Sequence, residues 1–425
     1  MIHLFSMLAR ARDVALPWAA GYWLAVLLLA ALVPDASARA QGTAPHPHRI
    51  ELLTKLRELQ ESEKSGAVED FVRKQLGATR GLPRADERRA DVLELALHVA
   101  IGRSQNGKKP SDRELADAAE LVRARRAAHT IDHHLVAIAL QISGVMLLAG
   151  DRAADADRAF DEMLEEFRKA YPKGGSELAN WLGRTAFTIT EGFNRPETAA
   201  RLYREAIGLR RDVGKEPTVE LAADLQALAM LQMNQLREWE AAAIGLEEAS
   251  SIFQELHRRS PSEGHLADRL AQVLVLRAGI ERDRGDTAKA VALLTEAGHL
   301  PTQDNAEKRE RAILIDLGRV RIAEMDGDLE KAIQHYESIV GRIADATQGG
   351  KLDATNQGLM LDCLLGIARL MVKLDKLTEA RQAAEVARKG YADDDPARGD
   401  VLFVWPTSSA VKAMSSSRMS FIARH

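Results

Sequence analysis

Six alanines constrain this chain more than any other feature. Ala156, Ala199, Ala242, Ala290, Ala332 and Ala380 recur about 42 to 48 residues apart. Most are followed at i+4 and i+7 by a larger and then a mixed residue: Phe160 and Met163, Tyr203 and Ala206, Leu246 and Ala249, Leu294 and Ala297, Tyr336 and Ile339. In the last unit the followers are Ala384 and Ala387. Positions i, i+4 and i+7 share one face of an α-helix. Turn signals precede several of these helices, at Gly150-Asp151, Asn194-Arg195-Pro196, Gly285-Asp286 and Gly327-Asp328. Before the turns stand other helices with apolar spacing, such as Leu140, Gly144, Leu147, or Ile313, Leu317, Val320, Ala323, or Leu364, Ala368, Met371. Pro301 and Pro396 close their units.

The residue types have a physical reason. A small residue where two helices cross lets the backbones approach, and a larger neighbour fills the groove beside it. One hairpin cannot bury its whole apolar side, so each must stack on the next. The spacing predicts an all-α chain, an α-solenoid of about eight stacked antiparallel helical hairpins.

Composition agrees. Ala, Leu, Arg and Glu dominate and aromatic residues make up 4% of the chain, which favours helix over strand. The 58 Lys and Arg against 62 Asp and Glu leave a net charge of −4, so no global field favours nucleic acid or anionic lipid. Cys363 is the single cysteine. No intrachain disulfide can form, and stability must come from packing.

Residues 1–40 read as a targeting segment. Arg10 and Arg12 precede an apolar run, Trp18–Val33, which Pro34 ends, and Ala38-Arg39-Ala40 supplies a small-x-small cleavage pattern. Two outcomes fit. Cleavage would make Gln41 the new N-terminus. Retention would leave an anchor, because the run is near the lower length for spanning roughly 30 Å of hydrocarbon. In both cases the body is exported, to a periplasmic, cell-envelope or extracellular location. Residues 41–49 read as a flexible polar linker, and its His46 and His48 lack a third partner for a metal.

Residues 50–130 read as a helical N-terminal segment, either degenerate repeats or a cap. Ile50, Leu53, Leu56 and Leu59 form one stripe, Val68, Phe71, Val72 and Leu76 a second, and Val92, Leu95, Leu97 and Val99 a third. Ser111 with Glu114 makes a capping box. The stretch Gly102–Lys109 matches the spacing of a phosphate-binding loop up to its lysine. The residue that should hold magnesium is Lys109, and the loop follows a helix instead of a strand. A solvated loop is the simpler account.

Over residues 131–392 the pattern resembles the tetratricopeptide repeat family. Gly144 and Ala278 match its small first-helix position, and Gly285-Asp286 and Gly327-Asp328 match its turn. The Ala, aromatic-or-Leu, Ala signature of its second helix matches Ala199/Tyr203/Ala206, Ala242/Leu246/Ala249 and Ala290/Leu294/Ala297. The period exceeds the family's usual 34 residues and is similar to the longer variant of kinesin light chains, with Arg195–Arg210 the nearest segment. The resemblance implies a right-handed superhelix and a non-catalytic scaffold that binds protein or peptide on a concave face lined by first helices. On that face it places Arg184, Glu191, Asn234, Arg282, Arg321, Glu324 and Arg369. Several arginines in one groove can hold a carboxylate by paired hydrogen bonds. The same residues also suit a plain solvated helix face. The Lys/Asn carboxylate clamp of the family's chaperone-binding members has no counterpart at matching positions.

No residue set announces a reaction, a cofactor or a metal. His133 and His134 are adjacent and cannot share a helix face, so one should pack and one should be solvated. Trp181, Trp239, Met230 and Met233 have core spacing, and Cys363 sits on an apolar stretch as a small hydrophobe. Residues 393–425 form a low-complexity tail with the apolar patch Leu402–Pro406 and a serine-rich end. The expected function is an exported, non-enzymatic interaction scaffold. Two other readings stand beside it: a membrane-tethered structural part of an envelope complex, and a small-ligand or enzymatic region at 50–130 with the repeats as accessory.

Overall fold

The structure is a computed structural model that describes residues 47–61, 66–105, 108–193, 195–214, 216–302, 305–347 and 354–390. The targeting segment, the first six residues of the expected linker and the C-terminal tail lie outside the described residues. Among the described residues all regular structure is helical. The helices fall into two compact units that divide between Arg237 and Glu238.

The first unit contains α1 (Pro47–Glu61), α2 (Ala67–Thr79), α3 (Glu87–Gln105), α4 (Asp112–Arg126), α5 (His133–Ala149), α6 (Ala153–Ala170), α7 (Ser176–Gly192), α8 (Pro196–Val213) and α9 (Val219–Leu231). A π-helical turn, Gln232–Leu236, extends α9. The second unit contains α10 (Trp239–Arg259), α11 (Gly264–Asp283), α12 (Thr287–His299), α13 (Asn305–Asp326), α14 (Leu329–Thr347), α15 (Ala354–Lys373) and α16 (Leu377–Gly390). Consecutive helices pack as antiparallel hairpins, notably α5/α6, α7/α8, α11/α12, α13/α14 and α15/α16. Alternate helices also touch: α3 with α5, α7 with α9, and α11 with α13. Each unit is therefore a short stack of helical hairpins, the α-solenoid architecture expected, and the first helices of successive hairpins share one side. The helix α1 begins at Pro47, so the last three residues of the stretch read as a flexible linker are helical.

The marker alanines sit where the spacing puts them. All six, Ala156, Ala199, Ala242, Ala290, Ala332 and Ala380, have no exposed surface. Phe160 and Phe167 on α6, Tyr203 on α8 and Phe253 on α10 are also buried, each worth about 1.5–3 kcal/mol of transfer free energy. The close approach is measurable at the glycines. A Cβ on Gly144 would lie 2.7 Å from the ring of Phe160. One on Gly366 of α15 would lie 2.6 Å from the ring of Tyr336 on α14, and one on Gly318 of α13 would lie 3.0 Å from Leu294 on α12. The last two pairs join one hairpin to the next, a role the sequence pattern did not assign to either glycine.

Turns repeat as well. Each hairpin bend that the structure describes at these turns passes through one left-handed residue, Asp151, Gly285, Gly327 or Asp375, and Arg237 at the end of the π-helical turn is left-handed too. Gly285 and Gly327 adopt φ of 87° and 77°, a region open to glycine without a Cβ penalty. The next residue then caps the second helix. Asp286 accepts from the Lys289 N–H at 2.9 Å and Asp328 from the Lys331 N–H at 3.1 Å. At Gly150-Asp151 the left-handed residue is the aspartate, not the glycine.

The segment before residue 131 is part of the stack. The capping box is present: the Ser111 hydroxyl accepts from the Glu114 N–H at 3.3 Å, and Glu114 accepts from the Ser111 N–H at 2.7 Å. Leu56, Val72, Leu95 and Val99 form a shared core for α1, α2 and α3. Beside it lies a buried ionic cluster. Arg49 of α1 donates to Glu94 of α3 at 2.7 Å, and Arg125 of α4 donates to both Asp91 and Glu94 at 2.8 Å. The Arg125, Asp91 and Glu94 side chains are 4–6% exposed. Burial pushes the Glu94 carboxyl up, but Arg49 and then Arg125 outweigh it and hold the group far below the usual carboxylate range.

Candidate functional site

The seven residues expected on the binding face fall on both units, so they do not form one described site. Arg184, Glu191 and Asn234 belong to the first unit, and Arg282, Arg321, Glu324 and Arg369 to the second.

In the first unit, Arg184 on α7 is exposed and lies 5.9 Å over the ring of Trp181. Trp181 is itself anchored, stacked at 6.0 Å on Phe167 and meeting His134 edge-on at 5.2 Å. His134 is buried and bonded to the Tyr171 hydroxyl at 2.9 Å, whereas His133 is half-solvated and meets Glu166 at 2.6 Å. The histidine pair thus divides into one packed and one surface residue, and Trp181 is a core aromatic with one open edge. Glu191 lies in the last turn of α7. Asn234 is on the π-helical turn, half-buried, with an Oδ1 that accepts no hydrogen bond among the described residues. Of the glycine-lysine stretch, Gly102 is inside α3 and Lys109 pairs with Asp151 at 2.5 Å, while Asn106 and Gly107 lie outside the described residues.

In the second unit three of the four expected residues converge. Tyr336 extends from α14 over Gly366 of α15, into a space that exists because position 366 has no side chain. It packs against two core clusters that include Val320 and Ala323 of α13 and Cys363 and Ile367 of α15. Burial pushes its phenol up to about 12; Glu324 adds to this, and Arg369 and Arg321 oppose it. The hydroxyl is therefore a neutral donor at physiological pH. Glu324 on α13 accepts from Arg369 Nη2 on α15 at 3.2 Å, linking neighbouring first helices. Arg321 is half-buried one turn before Glu324 and makes no hydrogen bond or ion pair among the described residues.

Arg282 behaves differently. Its side chain is 10% exposed and folds onto the adjacent Asp283, with Nη2 to Oδ1 at 2.6 Å. It offers no free guanidinium, in contrast to the exposed groove residue expected from its spacing. Glu281 beside it is held by Lys289 at 2.8 Å.

No family model and no curated protein matches the chain. Solved structures give loose likenesses. One is BtubC (BKLC) from P. vanneervenii, 18% identical over 56% of this chain and 96% of that one, with a TM-score of 0.41. Another is RapI in its apo form, 12% identical over 79% and 86%, with a TM-score of 0.47. A third is the quorum sensor NprR from B. thuringiensis in its apo form, 12% identical over 84% and 99%, with a TM-score of 0.36.

Other charged groups on the second unit are structural. Arg311 of α13 ties to Asp268 of α11 and donates to the carbonyls of Leu300 and Pro301, closing the C-terminus of α12. Asp316 accepts from the Ser338 hydroxyl at 2.9 Å and sits near Arg342 and His335 of α14, each at 3.4 Å. These groups join helices, although Nε of Arg311 and Oδ2 of Asp268 are buried without a hydrogen-bond partner among the described residues. Among the described residues no three His, Cys, Asp or Glu side chains are grouped to hold a metal ion. The site can donate hydrogen bonds and positive charge; it presents no nucleophile paired with a base.

Proposed function

We propose that this protein is an exported, non-catalytic interaction scaffold that binds a peptide or protein segment on the first-helix side of residues 238–390. The observation that carries the reading is the Glu324–Arg369 contact that links neighbouring first helices at 3.2 Å, with Arg321 one turn before Glu324 and making no hydrogen bond or ion pair among the described residues. These are polar groups at the open side of a packed seam, where the packing itself does not require them. A rigid helical array presenting side chains at a fixed repeat suits recognition of an extended segment. The 42- to 48-residue period supports the longer tetratricopeptide variant. Export rests on Arg10, Arg12, the Trp18–Val33 run and Ala38-Arg39-Ala40. An intact mass beginning at Gln41 would establish release, and a full-length mass in the membrane fraction would establish a tether.

The test is a photocrosslinking amino acid placed at Met325, which is 55% exposed on α13 one turn beyond Arg321. A second copy carries it at Val291, 44% exposed on α12. In the cell that makes the protein, the reading expects one or a few discrete adducts from Met325 and none from Val291. Equal adducts from both positions, or none from either, would overturn it.

A further inference from the structure

We infer that the loop between α2 and α3, with the adjoining side of α4, is a contact site for an anionic lipid surface, where Arg84, Arg89 and Arg123 take a lipid phosphate. The site lies within the first unit and does not depend on the scaffold reading above.

Three guanidiniums share one carboxylate there. Arg84 of the loop donates Nε to Glu120 Oε1 at 3.0 Å, and Arg89 of α3 donates Nη2 to the same oxygen at 3.3 Å. Arg123, one turn beyond Glu120 on α4, donates Nε to Oε2 at 3.0 Å and brings Nη2 to 2.9 Å. The Glu120 side chain is 12% exposed, whereas those of Arg84 and Arg123 are 56% and 53% exposed. A guanidinium has five donors, so most of those on Arg84 and Arg123 remain for a further acceptor. The arrangement is also fixed beforehand. Arg89 donates Nη1 to the Leu82 carbonyl at 3.0 Å, and the Leu82 N–H donates to the Thr79 carbonyl at 3.0 Å, which ties the loop to both helices.

Charge decides what is taken. Three guanidiniums on one carboxylate leave two positive charges, and the neighbouring acids do not remove them. Asp86 is taken by Arg88 at 2.7 Å, and Glu114 holds Arg103. Asp117, one turn before Glu120, has its carboxyl pushed up by burial, with Arg113 and Arg80 opposing. Residues 73–89 hold six Lys and Arg against only Asp86 and Glu87, so this end of the hairpin is cationic. The net charge of −4 on the whole chain does not cancel it, because exposed charges beyond a Debye length of about 8–10 Å are screened.

The loop favours a lipid surface over a soluble anion. Arg80, Gly81, Pro83 and Arg84 are exposed and Leu82 is half-buried, which sets an apolar pair, Leu82-Pro83, between two arginines. A membrane surface matches both chemistries, with phosphates for the arginines and the acyl boundary for the pair. A soluble anion would use the arginines alone.

The experiment uses the full chain carrying Pro83→Cys labelled with an environment-sensitive fluorophore. The native Cys363 has no exposed surface, and a control copy carries the label at Val291→Cys, 44% exposed on α12. Vesicles of phosphatidylcholine alone are compared with vesicles of phosphatidylcholine and phosphatidylglycerol. Attachment through the Trp18–Val33 run would be common to both vesicles, and the label reads the loop. The expected result is a blue shift at position 83 on the mixed vesicles only, absent at position 291 and reversed by salt. Arg84→Gln and Arg123→Gln should each weaken the response about fivefold, the worth of one basic residue at an anionic surface. Arg84→Lys, which keeps the charge, should restore most of it, and circular dichroism should show unchanged helix content in all three. An equal shift on both vesicles, no shift on either, or an undiminished shift in both glutamine variants would overturn the inference. Loss of the shift on adding inorganic phosphate at matched ionic strength would assign the arginines to a soluble anion and overturn it as well.

Discussion

Replacing Gly366 by alanine tests the packing logic most directly. In a helix interior the change normally stabilises, by about 1 kcal/mol from propensity alone. Here the new methyl would lie 2.6 Å from Cζ and 2.9 Å from the hydroxyl of Tyr336. The ring cannot swing away freely, because it is packed against residues of α13 on one side and α15 on the other. Overpacking a filled site costs about 1–3 kcal/mol, and a contact this short against a confined ring belongs at the upper end. The net is a loss of about 1–2 kcal/mol, roughly five- to thirtyfold in the local opening constant. Gly358, also on α15, has nothing within 4 Å of its would-be Cβ, so Gly358→Ala should gain about 0.5–1 kcal/mol. Amide hydrogen exchange of peptides from α14 and α15 reads both changes where they act, without assuming that the whole chain unfolds in one step. In a double-mutant cycle, Tyr336→Leu should relieve part of the Gly366→Ala penalty, because at the Leu294–Gly318 seam the leucine lies 3.0 Å from where an added Cβ would sit, farther than the 2.6 Å of the Tyr336 ring. If Gly366→Ala raises protection as Gly358→Ala does, the seam is looser than described and the reasoning fails.

Two further outcomes are expected. Glu94, buried between Arg49 and Arg125, has a carboxyl held well below its unfolded value of about 4.3, so the stability it contributes is present above that value and is lost only as pH falls through the lower, folded one. Exchange protection in α1, α3 and α4 should persist at pH 4 and fall in stronger acid, whereas Glu94→Gln should lower it at neutral pH by about 3–5 kcal/mol; a protein that loses this protection already near pH 5 would contradict the assignment. Cys363 has no exposed surface, and burial, aided by Asp362, pushes its thiol up to about 12. A thiol reagent at pH 8 should therefore label the folded chain only as fast as that region opens, and labelling at the rate of a free thiol would refute the buried placement.

The alanine frame was legible because it depends on one residue type at one spacing. A small side chain at a helix crossing is required wherever the crossing recurs, so Ala156 through Ala380 betray it without any partner being known. The Gly285-Asp286 and Gly327-Asp328 turns were legible for the same reason, since a left-handed residue followed by a capping carboxylate has few solutions. Asp151, Arg237 and Asp375 perform the first of these jobs without glycine, and their side chains give no comparable signal. The seam glycines were hidden, because a glycine inside a helix reads as a weak position until the ring facing it is known. The ionic cluster of Arg49, Asp91, Glu94 and Arg125 was hidden by separation in sequence. On the candidate face, spacing brings Arg321, Glu324 and Arg369 to one region, but the repeat pattern gives Tyr336 only a filling role. Arg282 shows the limit: its position along α11 was readable, and its turn onto Asp283 was not.

Within residues 238–390 the main contacts of each helix are with its sequence neighbours or the helix two along. Pairings so close in sequence require little loop closure, which is the condition for rapid folding. A chain of this kind can also change length by whole hairpins, because adding one creates a new seam of the existing type and leaves the older seams as they were. The unequal spacing of the alanines fits that history: the units differ in length by several residues, yet the crossing in each is solved by the same small side chain.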